Sequence, residues 1–188
     1  RWAFAAPTLQ RQTPAPTLLA EVLTALGLHA DEVLAAQDLN NGPHWLGLLL
    51  HDVDTVLALD PDHAALKRLG TKVGVAARRG TAAPGLIRRA NREARAFATH
   101  TAAATDPTDL EVRAFAAPVG IAEDPVTGSL NASLAQWLMA DGHMPPSYSA
   151  RQGTMLGRAG QVFVSQDAQG QVWVGGDVVG CIEGTVRL

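Results

Sequence analysis

The stretch LNASLAQWLMA, which runs from Leu130 to Ala140, decides the fold of this chain. Apolar side chains point in almost every direction around a helix with this pattern: Leu130, Ala132, Leu134, Ala135, Trp137, Leu138 and Met139. A helix without a polar face has to be buried on most of its sides. We therefore expect this helix to run through the middle of a domain, with a sheet wrapped around it.

Strand patterns surround this helix in the sequence. Leu110–Ala116 alternates like a half-buried strand, and Gln161–Ser165 and Gln171–Val174 flank a hairpin turn at residues 167–170. Other predicted strands lie at 1–5, 44–50, 71–77, 94–99, 178–183 and 185–188, and other predicted helices at 17–26, 54–59 and 62–69. This inventory predicts an α+β fold in which a curled mixed or antiparallel sheet surrounds a central α-helix.

The chain is long enough for one domain with a sizeable core. It begins with Arg1 and enters a strand pattern at once, so we expect residues 1–16 to be a strand and linker that belong with a further N-terminal domain. Residues 17–188 are then the domain itself. A processed or trimmed N-terminus is the alternative explanation of this start.

Composition excludes several classes of function. The net charge of −3 leaves no basic excess for nucleic acid, and the longest apolar run, Trp45–Leu50, is too short to cross a membrane. The single cysteine, Cys181, allows no disulfide within the chain and suits a cytoplasmic location. No histidines are paired at helical spacing or placed beside the cysteine, so we expect no metal site.

The loop GIAEDPVTGS at residues 120–129 carries the clearest chemical signal. The first turn of a helix has unpaired N–H groups and positive potential, which together favour anions. Gly128 has no side chain to block a close approach. A substrate carboxylate is therefore expected on the N–H groups of Gly128, Ser129 and Leu130, with the hydroxyl of Thr127 or Ser129 as an additional donor.

Asp124 precedes this anion site, and Pro125 restricts its backbone. A carboxylate held beside a substrate can take and return a proton, which makes Asp124 the candidate catalytic residue. Ordinary helix capping by Asp, Thr and Ser is the alternative, and Glu123 is expected to be a solvated neighbour. Glycines 153, 157 and 160 predict a tight turn, with Arg158 as an alternative partner for a substrate anion.

These segments resemble the PhzF-like family of phenazine biosynthesis. The resemblance rests on residues 112–118 and 120–129, on 131–138, on Gln152-Gly153 with residues 157–160, and on residues 174–184 in the same order. It implies a fold like that of diaminopimelate epimerase, with two similar domains and the active site between them. It also implies isomerase chemistry, a cofactor-free proton shift on a small carboxylic acid; in the phenazine pathway this acid is a dihydro-hydroxyanthranilate.

The resemblance assigns roles residue by residue. Asp124 matches the family aspartate that replaces one thiol of the related two-cysteine epimerases, Ser129 matches a serine that binds substrate, and Gly128 matches the glycine beside it. Cys181 lies elsewhere, which argues against two-thiol racemase chemistry.

No position of this chain matches the family's glutamate acid/base, which belongs to the N-terminal domain. We therefore expect that the 188 residues alone do not turn over substrate, and that the missing half comes from an N-terminal domain or a second chain. We also expect a homodimer, because an open cleft exposes apolar surface. The alternative is a non-catalytic domain that binds a small acid or a partner.

Overall fold

The computed structural model describes residues 1–79 and 108–187. Its strands are β1 (Trp2–Ala5), β2 (Gln10–Gln12), β3 (Val33–Asn40), β4 (His44–Leu50), β5 (Val73–Arg78), β6 (Leu110–Ala116), β7 (Ile121–Asp124), β8 (Ser147–Gln152), β9 (Gly160–Gln166) and β10 (Val172–Gly176). Its α-helices are α1 (Pro16–Leu26), α2 (Val53–Ala58), α3 (His63–Leu69) and α4 (Gly128–Ala140).

All ten strands join one mixed sheet, in the order β1-β10-β9-β8-β6-β5-β4-β3-β2, with β7 paired to β6 off this path. The pairs β4–β5 and β6–β8 are parallel, and the other pairs are antiparallel. The first two strands of the chain form the opposite edges of this path, although only residues 6–9 separate them. The predicted α+β class with a mixed sheet is thereby confirmed.

Helix α4 lies in the core, as its sequence predicts. Its apolar residues share one cluster with side chains from seven strands, β3, β4, β5, β6, β8, β9 and β10. Two strand glycines make room for the helix, since a methyl group at Gly74 would overlap Leu130 and one at Gly47 would lie 2.9 Å from the Trp137 ring. Trp137 and Leu130 are fully buried as a result.

The other three helices bury a second apolar cluster, which draws on the opposite faces of β4 and β5. Helix α1 is capped at its C-terminus by Gly27, whose φ of +69° is the left-handed conformation that glycine adopts most readily. Asp52 and Asp62 cap α2 and α3 by accepting hydrogen bonds from Thr55 and Ala65. Both faces of the central strands are therefore covered.

Several elements differ from the sequence predictions. Strands β3 and β8 were not predicted, and β7 lies within the stretch expected to be a loop. Residues 177–187, where two strands were expected, contain neither helix nor strand and are exposed. Their valines and isoleucine suit a strand, but no described strand pairs with them. The strand expected at 94–99 falls outside the described residues.

The first sixteen residues are closely tied to the sheet. β1 pairs with β10, and β2, inside the expected linker, pairs with β3. The proposed boundary at residue 16 stays a prediction. Among residues 1–79 and 108–187, no helix is both long and apolar enough to span a membrane.

Candidate functional site

The candidate site is the loop that leads from β7 into α4. Asp124 is the last residue of β7, and α4 begins four residues later at Gly128. The loop rests on the connection between β8 and β9, because Gly153 and Gly160 lack side chains there. A methyl group at Gly153 would lie 2.7 Å from the Pro125 carbonyl oxygen, and one at Gly160 would overlap Val126.

The glycine segment forms the predicted tight turn. Gly153 and Gly157 both have positive φ, +91° and +65°, and flank a short 3-10 turn. Arg158 is exposed, and its backbone N–H donates to the carbonyl of Gly153 at 2.9 Å. Its role as an anion partner stays a prediction.

Asp124 is held by Thr127, the N-cap residue directly before α4. The Thr127 hydroxyl donates to Oδ2 of Asp124 at 2.7 Å, and Asp124 is half-buried while Thr127 is buried. Within the described part of the chain, the Thr127 side chain makes no capping hydrogen bond to α4. Because a hydroxyl has only one hydrogen, this contact uses the donor that the sequence had offered to substrate.

Gln152, at the end of β8, ties this pair to the sheet and is fully buried. Its Oε1 accepts from the Thr127 backbone N–H at 3.1 Å and from Nδ2 of Asn131 at 2.8 Å. Its Nε2 donates to the Asp124 carbonyl at 2.8 Å and to the Thr127 hydroxyl at 3.0 Å. One side chain from a distant strand thus fixes both ends of the loop.

Ser129 lies in the first turn of α4 and is half-buried. Its hydroxyl oxygen accepts from the Trp45 indole at 3.3 Å, and its carbonyl accepts from Asn41 Nδ2 at 3.0 Å. Accepting from Trp45 leaves the hydroxyl hydrogen of Ser129 able to donate. Gly128 is also half-buried, so the start of α4 is reachable from solvent.

Lys72 adds a positive charge to this neighbourhood. Its ammonium group lies 4.7 Å from the centre of the Trp45 ring, whose N–H bonds Ser129. Burial lowers the pKa of Lys72, because desolvation disfavours the charged form. The two distances and the width of an indole place the ammonium within about 11 Å of the Ser129 hydroxyl, close to one Debye length at 0.1 M salt.

Glu123 differs from the expectation of a solvated neighbour. Its carboxylate forms a two-pronged ion pair with Arg113, at 2.7 and 3.1 Å, and only 8% of its side chain is exposed. Arg113 in turn donates to the backbone carbonyls of Val56 and Leu59. Alternation along β7 sends Glu123 and Asp124 to opposite faces of the sheet, so Glu123 serves the structure.

An apolar cavity of about 340 Å³ lies beside the start of α4. Its lining includes Gly128 and Val126 from the site loop, together with Trp2, Phe4 and Val178. Trp2 and Val178 are 75% and 61% exposed, so the lining is open to a ligand or to another polypeptide.

Sequence reasoning missed four residues that contact the site or lie next to it: Asn41, Trp45, Lys72 and Gln152. They come from strands or turns far away in the chain, and no local pattern marks them. Gln152 alone carried a hint, since Gln152-Gly153 formed part of the family resemblance. In the described residues, no group of three or more His, Cys, Asp and Glu side chains is placed to hold a metal.

The mixed sheet packed against the buried helix α4, with the Asp124 loop at the N-terminus of that helix, defines an α+β protein. A family model described as phenazine biosynthesis-like protein, PhzC-PhzF, matches residues 2–184. The chain belongs to this family.

Solved structures agree in fold. A PhzF-family phenazine biosynthesis protein of Bacillus anthracis matches with a TM-score of 0.65 and 13% identity, over 92% of this chain and 56% of the other. A predicted epimerase of Pseudomonas aeruginosa matches with a TM-score of 0.61 and 19% identity, over 93% and 54%. A PhzF-family protein of Enterococcus faecalis matches with a TM-score of 0.57 and 24% identity, over 92% and 51%.

The chain therefore spans little more than half the length of these structures. No curated protein matches the sequence significantly.

Proposed function

We propose that this chain is one half of a PhzF-family isomerase, in which Asp124 moves a proton on a small carboxylic acid bound at the start of α4. One observation carries the proposal: a hydrogen-bonded carboxylate stands directly before the N-terminus of a buried helix, 2.7 Å from the Thr127 hydroxyl. A carboxylate and the unpaired N–H groups at the start of a helix are thus next to each other in the chain.

The substrate carboxylate would sit on the N–H groups of Gly128, Ser129 and Leu130, where the helix dipole favours negative charge. The Ser129 hydroxyl would donate a further hydrogen bond, while Thr127 acts on Asp124. The ammonium of Lys72 supports the same preference for anions. Together these groups would bring the carbon next to the carboxylate within reach of Asp124.

Asp124 would remove a proton from this carbon, and the electron pair of the broken C–H bond would move into the adjacent conjugated system. The proton would then return at another carbon, so the acid is isomerised without a change in oxidation state. A second acid/base group, the glutamate that the family resemblance implies, would come from an N-terminal domain or a second chain. No cofactor is required for such a shift.

The curled sheet of the epimerase-like fold is part of this proposal. Eight strand spacings separate β1 from β2 along the sheet, about 38 Å if the sheet were flat. The five peptide steps from Ala5 to Gln10 reach at most about 18 Å. This mismatch supports a sheet that bends around α4 until its two edges approach each other.

The proposal is tested with the protein that carries this chain together with every domain that accompanies it. A panel of small carboxylic acids is incubated in D2O, and solvent deuterium or a moved double bond is read by mass spectrometry and NMR. We expect at least one acid to react, and Asp124→Asn to slow the reaction by about 100-fold or more. Asp60→Asn is the matched control, because the Asp60 carboxylate is exposed and lies far from Asp124 in the sequence. This variant should react like the natural protein.

A non-catalytic domain that binds a small acid is the second candidate, and the apolar cavity beside Gly128 favours it. In that case acids would bind, with amide shifts at Gly128, Ser129 and Leu130, but none would exchange deuterium. Asp124→Asn would then leave binding nearly unchanged and there would be no reaction for it to abolish.

A further inference from the structure

The orientation of the Gln152 amide follows from its four partners. One end faces two N–H donors, from the Thr127 backbone and Asn131, so that end must be the oxygen. The other end faces the Asp124 carbonyl, which can only accept, so that end must be the NH2 group. Both lone pairs of the amide oxygen and both N–H groups of this buried amide are then used.

This orientation determines the hydroxyl of Thr127 as well. Nε2 of Gln152 donates to the hydroxyl oxygen at 3.0 Å. The single hydrogen of Thr127 is therefore directed to Oδ2 of Asp124, 2.7 Å away. The lone pair of Oδ2 that faces Thr127 accepts this hydrogen bond. A proton therefore cannot bind Oδ2 on the side that faces Thr127.

We propose that Gln152 is a positioning residue, which fixes the direction of the Thr127-to-Asp124 hydrogen bond and leaves Oδ1 of Asp124 as the oxygen that exchanges a proton with substrate. The inference rests on the proposed function in one respect, that Asp124 is the acid/base group. When Asp124 acts, an O–H bond forms at Oδ1 as the substrate C–H bond breaks, and its electron pair stays on the substrate. Oδ2 keeps its hydrogen bond from Thr127 before and after the transfer.

The direction can be tested by reversing it, without any substrate. Gln152→Glu removes the NH2 group and places carboxylates on both sides of a hydroxyl that has one hydrogen. The new carboxylate also faces the Asp124 carbonyl, so we expect the melting temperature to fall by about 5–10 °C at pH 7. The same substitution at exposed Gln10 is the matched control and should change it by no more than about 1 °C.

The second step adds Asp124→Asn to Gln152→Glu. The new amide at position 124 can donate to the Thr127 hydroxyl, which then donates to the new carboxylate at position 152, so the chain of hydrogen bonds runs the other way. We expect the double variant to melt at a higher temperature than Gln152→Glu alone, although the new carboxylate still faces the backbone carbonyl of residue 124. Asp124→Asn alone should have a small effect, because the amide oxygen can still accept from Thr127.

A double variant that melts no higher than Gln152→Glu would overturn the proposal, since a merely structural Gln152 predicts additive losses. A measurement on the unaltered protein guards against variants that do not fold. The two Nε2 protons of Gln152 should exchange with solvent at least about 100-fold more slowly than those of Gln10, and equal rates would also overturn the proposal. Neither readout depends on turnover, so failure of this inference is distinct from failure of the proposed function.

Discussion

Two single residues, Gly153 and Gly160, decide how closely the loop 125–127 can approach the sheet. A Cβ atom at Gly160 would lie 2.5 Å from the Gln152 carbonyl oxygen and would overlap Val126. At Gly153 it would meet the Pro125 carbonyl, in a backbone conformation with φ of +91° that favours glycine. The position of Asp124 therefore depends on absent side chains as well as on hydrogen bonds.

We predict that Gly160→Ala lowers the free energy of unfolding by about 2 kcal/mol, because the new methyl group would meet the backbone carbonyl of Gln152 as well as the side chain of Val126. Urea unfolding measures this loss. Gly184→Ala is the control, since a Cβ atom there meets nothing within 4 Å. Equal stabilities of the two variants would show that the loop does not rest on Gly160.

The charge of Lys72 gives a second prediction for a single residue. Lys72→Met keeps an unbranched side chain over Trp45 but removes the ammonium, so the dissociation constant of a bound carboxylic acid should rise about 3- to 10-fold at low salt. Isothermal titration with the acids from the turnover panel measures it. The effect should shrink at about 0.5 M salt because the charge is then screened.

Lys67→Met, an exposed lysine at the end of α3, is the matched control for this titration. If both variants bind acids equally well, the ammonium of Lys72 has no part in the site.

At the end opposite the site, hydrogen bonds of Asp141 join helix α4 to strand β2. Asp141, directly after α4, accepts from Arg11 of the β2 edge at 2.6 Å and from the Trp137 indole at 2.9 Å. The hydrogen bond from Arg11 is the main cause that lowers the pKa of Asp141. The tie joins the C-terminal end of the buried helix to an edge strand.

A lowered pKa in the folded state means that the tie stabilises the protein above the pKa of the unfolded carboxyl, about 3.9, and that this stabilisation is lost as the pH falls through the folded value. We predict that Asp141→Asn costs about 0.5–1 kcal/mol at pH 7, since both partners are about one-third exposed. The difference from the natural protein should shrink as the pH falls below about 3.9 and vanish once the folded carboxyl is protonated, because both proteins then carry a neutral side chain.

Denaturant unfolding at a series of pH values tests this tie, with Asp60→Asn as the control. A loss of stability that is the same at all pH values would contradict the electrostatic explanation.

The whole molecule is arranged around α4, whose apolar residues pack against side chains from both halves of the sheet. Eight residues of α4 are buried, so we predict that its amides exchange with deuterium more slowly than those of any other described helix. Residues 177–187 form neither helix nor strand in this chain and should exchange fastest. Exchange followed by mass spectrometry checks both, and rapid exchange in α4 would contradict a central place for the helix.

The length of the chain gives a prediction about its activity. The chain spans 51–56% of the length of the three solved structures described above, so we predict no turnover by these 188 residues alone. The deuterium assay with the isolated chain checks this prediction. Turnover at the rate of the complete protein would show that the acid/base groups all lie within the chain.

Local patterns were enough to predict the elements with strong periodicity. The buried helix, the hairpin of β9 and β10, and the turn at residues 153–157 follow from spacing and from glycine, and all three are confirmed. Residues 178–187 show the limit of such patterns, because a strand forms only where another strand pairs with it. β8 shows the converse, since pairing with β6 and β9 makes a strand from a polar sequence.

The sequence by itself determined that a helix without a polar face would be buried, and that a carboxylate would stand at its start. Both properties depend on neighbours within a few residues along the chain. The tertiary structure alone decided that Glu123 pairs with Arg113, that Gln152 orients Thr127, and that Trp45 bonds Ser129. These contacts join residues 10, 25 and 84 positions apart. Their partners are chosen by the register of the sheet and by the position of α4 against it, which no local pattern records.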